Sequence, residues 1–346
     1  MIRFIVRNVL LAVVCIVLNI NIHCGLMGAS CSCLEATLCD KTFRLYMVLW
    51  DGPTDLEKGF IAYLKRKNIK FDVFTRDCKG DRVRCHGFIP EIREMKPDLI
   101  YVWGTPACEE IAGKITQPKD DYIWDIPIIS VIVTDPVNAN IIKNLDTPGR
   151  NVTGVNHVAP VEAQLNTILF YKRDTRTIAV IYNPDETNSV IQVEAFSMAA
   201  ERKGIKILNL PIPLSDKKAD ANRIIELVLK AHTFKVDFIY IPADTFVSHH
   251  SSKLIGAANR LKIPTFASTE SLYWNEKPLI GMISKFINVG AFAGFKAYEI
   301  LINKKDPATI PYERLSRFSI LISKSTYENI GLVPPITLLK FAEIED

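Results

Sequence analysis

From Phe43 onward, short apolar runs rich in β-branched and aromatic residues alternate with longer amphipathic stretches. Arg44–Trp50, Phe71–Phe74, Leu99–Trp103 and Ile128–Val133 read as strands, and Leu56–Lys67 and Phe88–Met95 between them read as helices. Strand–helix order of this kind implies a parallel sheet covered on both faces. After Val152–Val155 a second series begins, with strands expected at Thr177–Tyr182, Ile205–Leu210, Asp237–Ile241 and Pro264–Ala267. Helices Val190–Lys203 and Ala219–Ala231 lie between them, so two doubly wound units stand in tandem.

The closing segment shapes the topology. Gly281–Ser284 leads into a helix over Val289–Ile302, and Phe318–Ile322 reads as one more strand. Neither piece makes a domain alone, so both are expected to return and complete the two lobes. The expected division is residues 43–155 with about 280–308 in the first lobe, and 156–279 with about 309–346 in the second. The fold class is therefore α/β, two Rossmann-like lobes with parallel sheets joined by a multi-crossing hinge. "TPGRNVTGV", with Pro148, Gly149 and Gly154, is the expected first crossing, and the stretch after Ala267 the second.

At 346 residues the chain is long enough for two cores, and 48% apolar with 23% charged residues is a globular composition. The formal net charge is +4, and two of those charges are Arg3 and Arg7 in a segment that reads as an export signal. So small a surplus, without basic runs, speaks against a nucleic-acid partner. In residues 1–30 a short basic arm precedes the apolar run Val9 to Leu18, and Gly28-Ala29-Ser30 offer a cleavage point. An uncleaved anchor extended through Ile22 is the alternative. Residues 31–42 read as a tether. Cys31 is open to lipid modification, though Gly28 stands where a bacterial lipoprotein signal prefers Leu. Of eight cysteines only Cys78, Cys85 and Cys108 belong to the folded body. In an oxidising compartment Cys78 and Cys85 either close a small loop, worth about 2–3 kcal/mol on the chain-entropy account, or remain free thiols.

In open parallel sheets, ligands sit beyond the carboxyl ends of the strands. Here those ends are repeatedly small and polar: "WDGPTD", "WGTP" and "TDPVN" in the first unit, "YNPDETNSV", "IPADTF" and "FASTESLYW" in the second. Facing one another, they would line a cleft. Thr105 and Pro106 open a helix whose free N–H groups suit a carboxylate. Asp244 is read either as partner to an ammonium or as a helix cap, and Asp135 likewise as ligand contact or cap. Asn188, Ser189, Thr54 and Thr269 supply neutral hydrogen bonds, and Trp50, Tyr273 or Trp274 would wall a flat or cationic ligand. Trp103 reads as core, and His157, near the hinge, is a further candidate contact.

Catalytic signatures are missing. No GxGxxG follows the first strand, and "GAFAG" (Gly290 to Gly294) lies inside a helix, where close packing explains it better than phosphate binding. Adjacent His249 and His250 cannot share a metal at helical spacing and read as a solvated helix start. No nucleophile has a base evident beside it, so neither an enzyme nor a cofactor is expected.

The chain resembles the substrate-binding proteins of ABC transporters, in the group with tryptophan- and tyrosine-binding members and the type I periplasmic binding fold. The likeness rests on "KPDLIYVWGTPA", "IPIISVIVTDPV", "PGRNVTGV", "VIYNPDETNSV", "VDFIYIPADTFV", "IPTFAST" and "IGLVPPITLL", in family order over about Arg44 to Ala342. It implies an exported, non-catalytic, monomeric receptor, periplasmic or membrane-tethered, whose lobes close on a small solute and present it to a membrane permease. By motif, Thr105 would meet the ligand carboxylate, Asn188 would bond from the facing lobe and Asp244 would hold the amino group. "LWDGPTD" and "STESLYWNEKP" depart from the family pattern at the cleft, which leaves the solute open. A ligand-sensing ectodomain and an exported Rossmann-like enzyme are the rival readings.

Overall fold

The computed structural model describes residues 41–215 and 218–346. The export signal, and the tether apart from Lys41 and Thr42, lie outside the described residues. The first series runs β1 (Phe43–Leu49), α1 (Asp55–Arg66), β2 (Phe71–Asp77), α2 (Arg82–His86), α3 (Ile89–Met95), β3 (Leu99–Trp103), α4 (Thr105–Ala112), β4 (Ile128–Val131) and β5 (Val152–Asn156). The second runs α5 (Val161–Tyr171), β6 (Thr177–Tyr182), α6 (Thr187–Glu201), β7 (Lys206–Pro211), a hairpin of β8 (Leu214–Ser215) and β9 (Lys218–Ala219), α7 (Ile224–Thr233) and β10 (Phe238–Ile241). It continues through α8 (Thr245–His249), α9 (Ser251–Arg260), β11 (Thr265–Ala267), α10 (Glu270–Glu276) and β12 (Ile280–Ile283). The chain closes with α11 (Phe286–Leu301), β13 (Glu313–Arg314), β14 (Ser319–Ser323), α12 (Lys324–Ile330) and β15 (Ala342–Glu345).

Two sheets result. The first has strand order β13-β5-β4-β3-β1-β2 with every pairing parallel. The second, β15-β14-β12-β11-β10-β6-β7, is parallel except where β12 meets β14. The period-two alternation of β1 divides the first core. Tyr46 and Val48 pack with Ile100 and Val102 toward α2, α3 and α4. Leu45, Met47 and Leu49 pack with Leu99 and Tyr101 toward α1 and α11.

Strand pairing redraws three expected boundaries. Ile280–Ile283, assigned above to the first lobe, pairs with β11 and β14 in the second sheet. Glu313–Arg314, assigned to the second, pairs with β5 in the first. The first crossing follows Asn156 rather than lying in "TPGRNVTGV". That segment is pinned to the first lobe by buried Arg150, whose guanidinium donates to the carbonyls of Ala112 (2.5 Å), Gly113 (2.9 Å) and Ile141 (3.1 Å). The chain recrosses at Ser284 and Lys285, not directly after Ala267, and again between β13 and β14. These exchanges depend on which distant strand offers a free edge, a property that local periodicity does not carry.

The "GAFAG" stretch is packing. A Cβ at Gly290 would lie 1.9 Å from the Leu56 carbonyl oxygen, and one at Gly59 would lie 2.0 Å from that of Ile287. α1 and α11 therefore meet backbone to backbone, and α11 covers the first sheet immediately after the second crossing.

Candidate functional site

The carboxyl ends of both sheets face a shared cavity of about 150 Å³. On the first lobe, Gly104 ends β3 at φ 95°, a conformation open to glycine, with its N–H bonded to Val131 O at 3.0 Å. The chain then enters α4 with Thr105 and Pro106, both lining the cavity. Thr105 is 2% exposed and its Oγ1 has no partner among the described residues. Ile132, just past β4, lines the cavity at φ 57°, left-handed backbone that a β-branched residue adopts only under strain. Thr54 also lines it, with a hydroxyl engaged in a capping box: Oγ1 accepts from Leu56 N at 3.2 Å while Glu57 Oε2 accepts from Thr54 N at 2.7 Å.

From the second lobe come Asn188 at the start of α6, Asp244 at the start of α8 and Thr269 before α10. Asn188 donates through Nδ2 to Ala243 O at 2.6 Å, leaving its buried Oδ1 unpartnered. The hinge closes the back wall, where His157 and Phe286 stand edge to face with ring centroids 6.1 Å apart. Each belongs to a different crossing. Burial lowers the His157 imidazole to about 3, so it is neutral, and its Nδ1 has no partner.

Three expected contacts lie off this cavity. Asp135 closes its own turn, accepting from Asn138 N at 3.0 Å and Asn138 Nδ2 at 2.8 Å. Ser189 is fully buried behind the wall and donates to Asp244 Oδ2 at 2.5 Å. Trp50 packs beside Gly104 and lines an adjoining outer cavity of about 530 Å³ instead. Asp244 lines the inner cavity, but its oxygens are taken by Val247 N (2.8 Å), Asn183 N (2.6 Å) and Ser189. Of its two readings, the geometry displays the helix cap. Burial and then the charge of Glu186 push the Asp244 carboxyl up, against the pull of those three bonds. Tyr273 is core in the second lobe and Trp274 is exposed at the surface, so neither walls the cavity.

Some residues that do line it were read otherwise or passed over. Trp103, expected in the core, places a buried indole Nε1 with no partner beside the cavity. Its position at the very end of β3 was the available signal. His249, expected to be solvated, is half exposed yet bonds through Nε2 to Asp51 Oδ2 of the first lobe at 2.7 Å. Both residues line the inner and the outer cavity alike. The inner cavity is lined by no Lys or Arg, and Asp51 and Asp244 are the carboxylic acids on its wall.

The profile of the family described as ABC transporter substrate binding protein matches residues 47–344. The chain belongs to that family. A curated relative, the tyrosine-binding protein of Clostridioides difficile, is 29% identical over 283 residues, 80% of this chain and 76% of the relative. Among solved structures, a conserved domain protein from Vibrio cholerae superposes with TM-score 0.77 at 23% identity, covering 88% of this chain and 100% of that one. An ABC domain from Streptococcus pneumonia in complex with L-Trp gives 0.74 at 24%, covering 87% and 99%. A ligand-free, open substrate-binding protein from Clostridium difficile gives 0.68 at 22%, covering 88% and 99%.

A substrate-binding protein of this kind holds a small molecule for a membrane transporter, and family members are binding proteins rather than enzymes. Such a protein works outside the cytoplasm; among the described residues, no helix is long and apolar enough to cross a membrane. Two sheets with polar rims, hinged by several crossings, suit the binding protein to that task.

Proposed function

We propose that the chain is the extracytoplasmic receptor of an ABC uptake system, closing its lobes on an amino acid or related small amphiphile. The observation that carries this reading is the set of buried, unpartnered polar atoms on the cavity wall: Thr105 Oγ1, Trp103 Nε1, Asn188 Oδ1 and His157 Nδ1. Unpaired polar atoms at this depth are costly unless a ligand satisfies them. Thr105 and the start of α4 take the carboxylate, which no lining Lys or Arg is present to neutralise. Asn188 Oδ1 takes the ammonium, because the oxygens of Asp244 are occupied. Phe286, Trp103 and Pro106 supply apolar wall for a side chain. A relative named for tyrosine and a solved structure holding L-Trp support an aromatic amino acid in particular.

Ligand contacts made only when the lobes meet bias the protein from open to closed, which is the form offered to the permease. In this reading residues 1–30 direct export, the receptor is periplasmic or tethered to the membrane through Cys31, and it acts as a monomer. The test is calorimetric titration of the mature domain with the common amino acids, dipeptides and nucleosides. Binding restricted to one or a few zwitterionic amino acids is expected. Silence across the amino acids alongside binding of another class would overturn the ligand assignment.

A further inference from the structure

Cys78 follows β2, and Cys85 lies in the last turn of α2, seven residues on. Two hydrogen bonds fold the intervening chain back on itself: Asp81 N donates to Cys78 O at 3.1 Å, and Cys85 N donates to Asp81 O at 3.0 Å. Both side chains are fully buried as free thiols in one core cluster, and Cys78 is the neighbour that, with burial, pushes the Cys85 thiol up. α2 is held in this place from a second direction, by Arg82 paired to Glu109 (2.9 Å) and Glu110 (3.1 Å). The residues between the two sulfurs are not buried with them. Lys79, Gly80, Asp81, Arg82 and Val83 form the first-lobe lip of the outer cavity.

We infer that Cys78 and Cys85 form a disulfide as the chain folds in an oxidising compartment, stapling the lip that guards the cleft. Burial in one cluster, a short loop and a fixed helix favour closure of a bridge between the two residues. The oxidant is a small-molecule or protein disulfide. One thiolate attacks it, releasing the first thiol and leaving a mixed disulfide; the second thiolate then attacks that mixed bond and releases the second thiol. Two thiols of this chain are oxidised and one external disulfide is reduced to two thiols. In the folded protein the neighbouring Cys78 and burial push the Cys85 thiol up and keep it protonated, so closure belongs to folding rather than to a switch in the mature receptor. The extracytoplasmic reading supplies the setting in the cell, while the pairing itself rests on the geometry.

The experiment refolds the full chain in a mixture of oxidised and reduced glutathione, alkylates remaining thiols and digests with trypsin without reduction. Cleavage after Arg76, Lys79, Arg84 and Arg93 is expected to release residues 77–79 joined to residues 85–93. Reduction should separate the two peptides. It should also lower the melting temperature by about 5 °C, a response absent from a Cys78→Ala/Cys85→Ala variant. Alkylated Cys78 and Cys85, or either one joined to Cys108 or to an N-terminal cysteine, would overturn the assignment. The peptide map needs only the natural chain, so it stands even where the variant does not fold. Because the refolding is done in solution, its outcome is independent of where the protein resides.

Discussion

His249 Nε2 and Asp51 Oδ2 lie 2.7 Å apart, joining the end of the second lobe's short α8 to the loop after β1 across the mouth of the cleft. Among the described residues no other ion pair spans the two lobes' facing rims. The contact separates the inner cavity from the outer one, so it resists opening without touching the bottom of the site.

Breaking this contact should loosen the closed form and little else. A half-exposed pair contributes about 0.2–1 kcal/mol, so Asp51→Asn or His249→Ala is expected to raise the ligand dissociation rate by up to about fivefold. The association rate should hold, as should the melting temperature of the empty protein. Stopped-flow release of bound amino acid measures this, and an unchanged off-rate in both variants would remove the role of the pair.

Thr105 should show opposite effects on stability and on binding. Its buried hydroxyl has no partner in the empty cavity, so Thr105→Val removes an unsatisfied polar group and is expected to leave the empty protein equally stable or slightly more so. Ligand affinity should fall roughly tenfold through the lost bond to the carboxylate. Denaturant unfolding paired with calorimetric titration separates the two effects.

His157 gives the protein an acid sensitivity with a defined sign. Burial lowers its imidazole from 6.5 to about 3. Between those values the unfolded chain takes up a proton that the native chain refuses, so stability rises with pH. The contribution is complete above about 6.5 and is lost as pH falls toward 3, with a limiting slope of about 1.4 kcal/mol per pH unit. Urea unfolding from about pH 4 to about pH 6 should therefore be less steeply pH-dependent in His157→Gln than in the natural protein. Parallel curves would refute the assignment.

Gly290 marks a backbone-to-backbone contact between α11 and α1. Gly290→Ala would set a methyl against the Leu56 carbonyl, and a loss of about 3 kcal/mol or more is expected from the forced separation of α1 and α11. Gly256, in α9, faces only the tip of Arg260 at 3.7 Å. There the same substitution should be neutral or stabilise by up to about 1 kcal/mol through helix propensity. Chemical denaturation of the two variants side by side makes the comparison.

The outline of the site was legible because strand ends carry their own punctuation. Thr54, Thr105, Asn188, Asp244 and Thr269 each open a helix after a strand, and the parallel-sheet rule sends all such positions to one rim. Their duties were not legible in the same way. Asp244 and Thr54 spend their side chains on caps, while Asn188 Oδ1 and Thr105 Oγ1 remain free. Residue type and spacing are the same for a capping group and a binding group; only the partners differ.

The sequence by itself determined the tandem series of strands and helices, the facing polar rims and the small-residue seam of α11, because periodicity, turn chemistry and helix starts are written over a few neighbouring residues. Tertiary structure decided that β12 joins the second sheet and β13 the first, that Trp103 turns its indole toward the cavity, and that His249 meets Asp51. Those outcomes depend on which surfaces remain unpaired once distant segments have packed, and that competition is settled by the whole chain together.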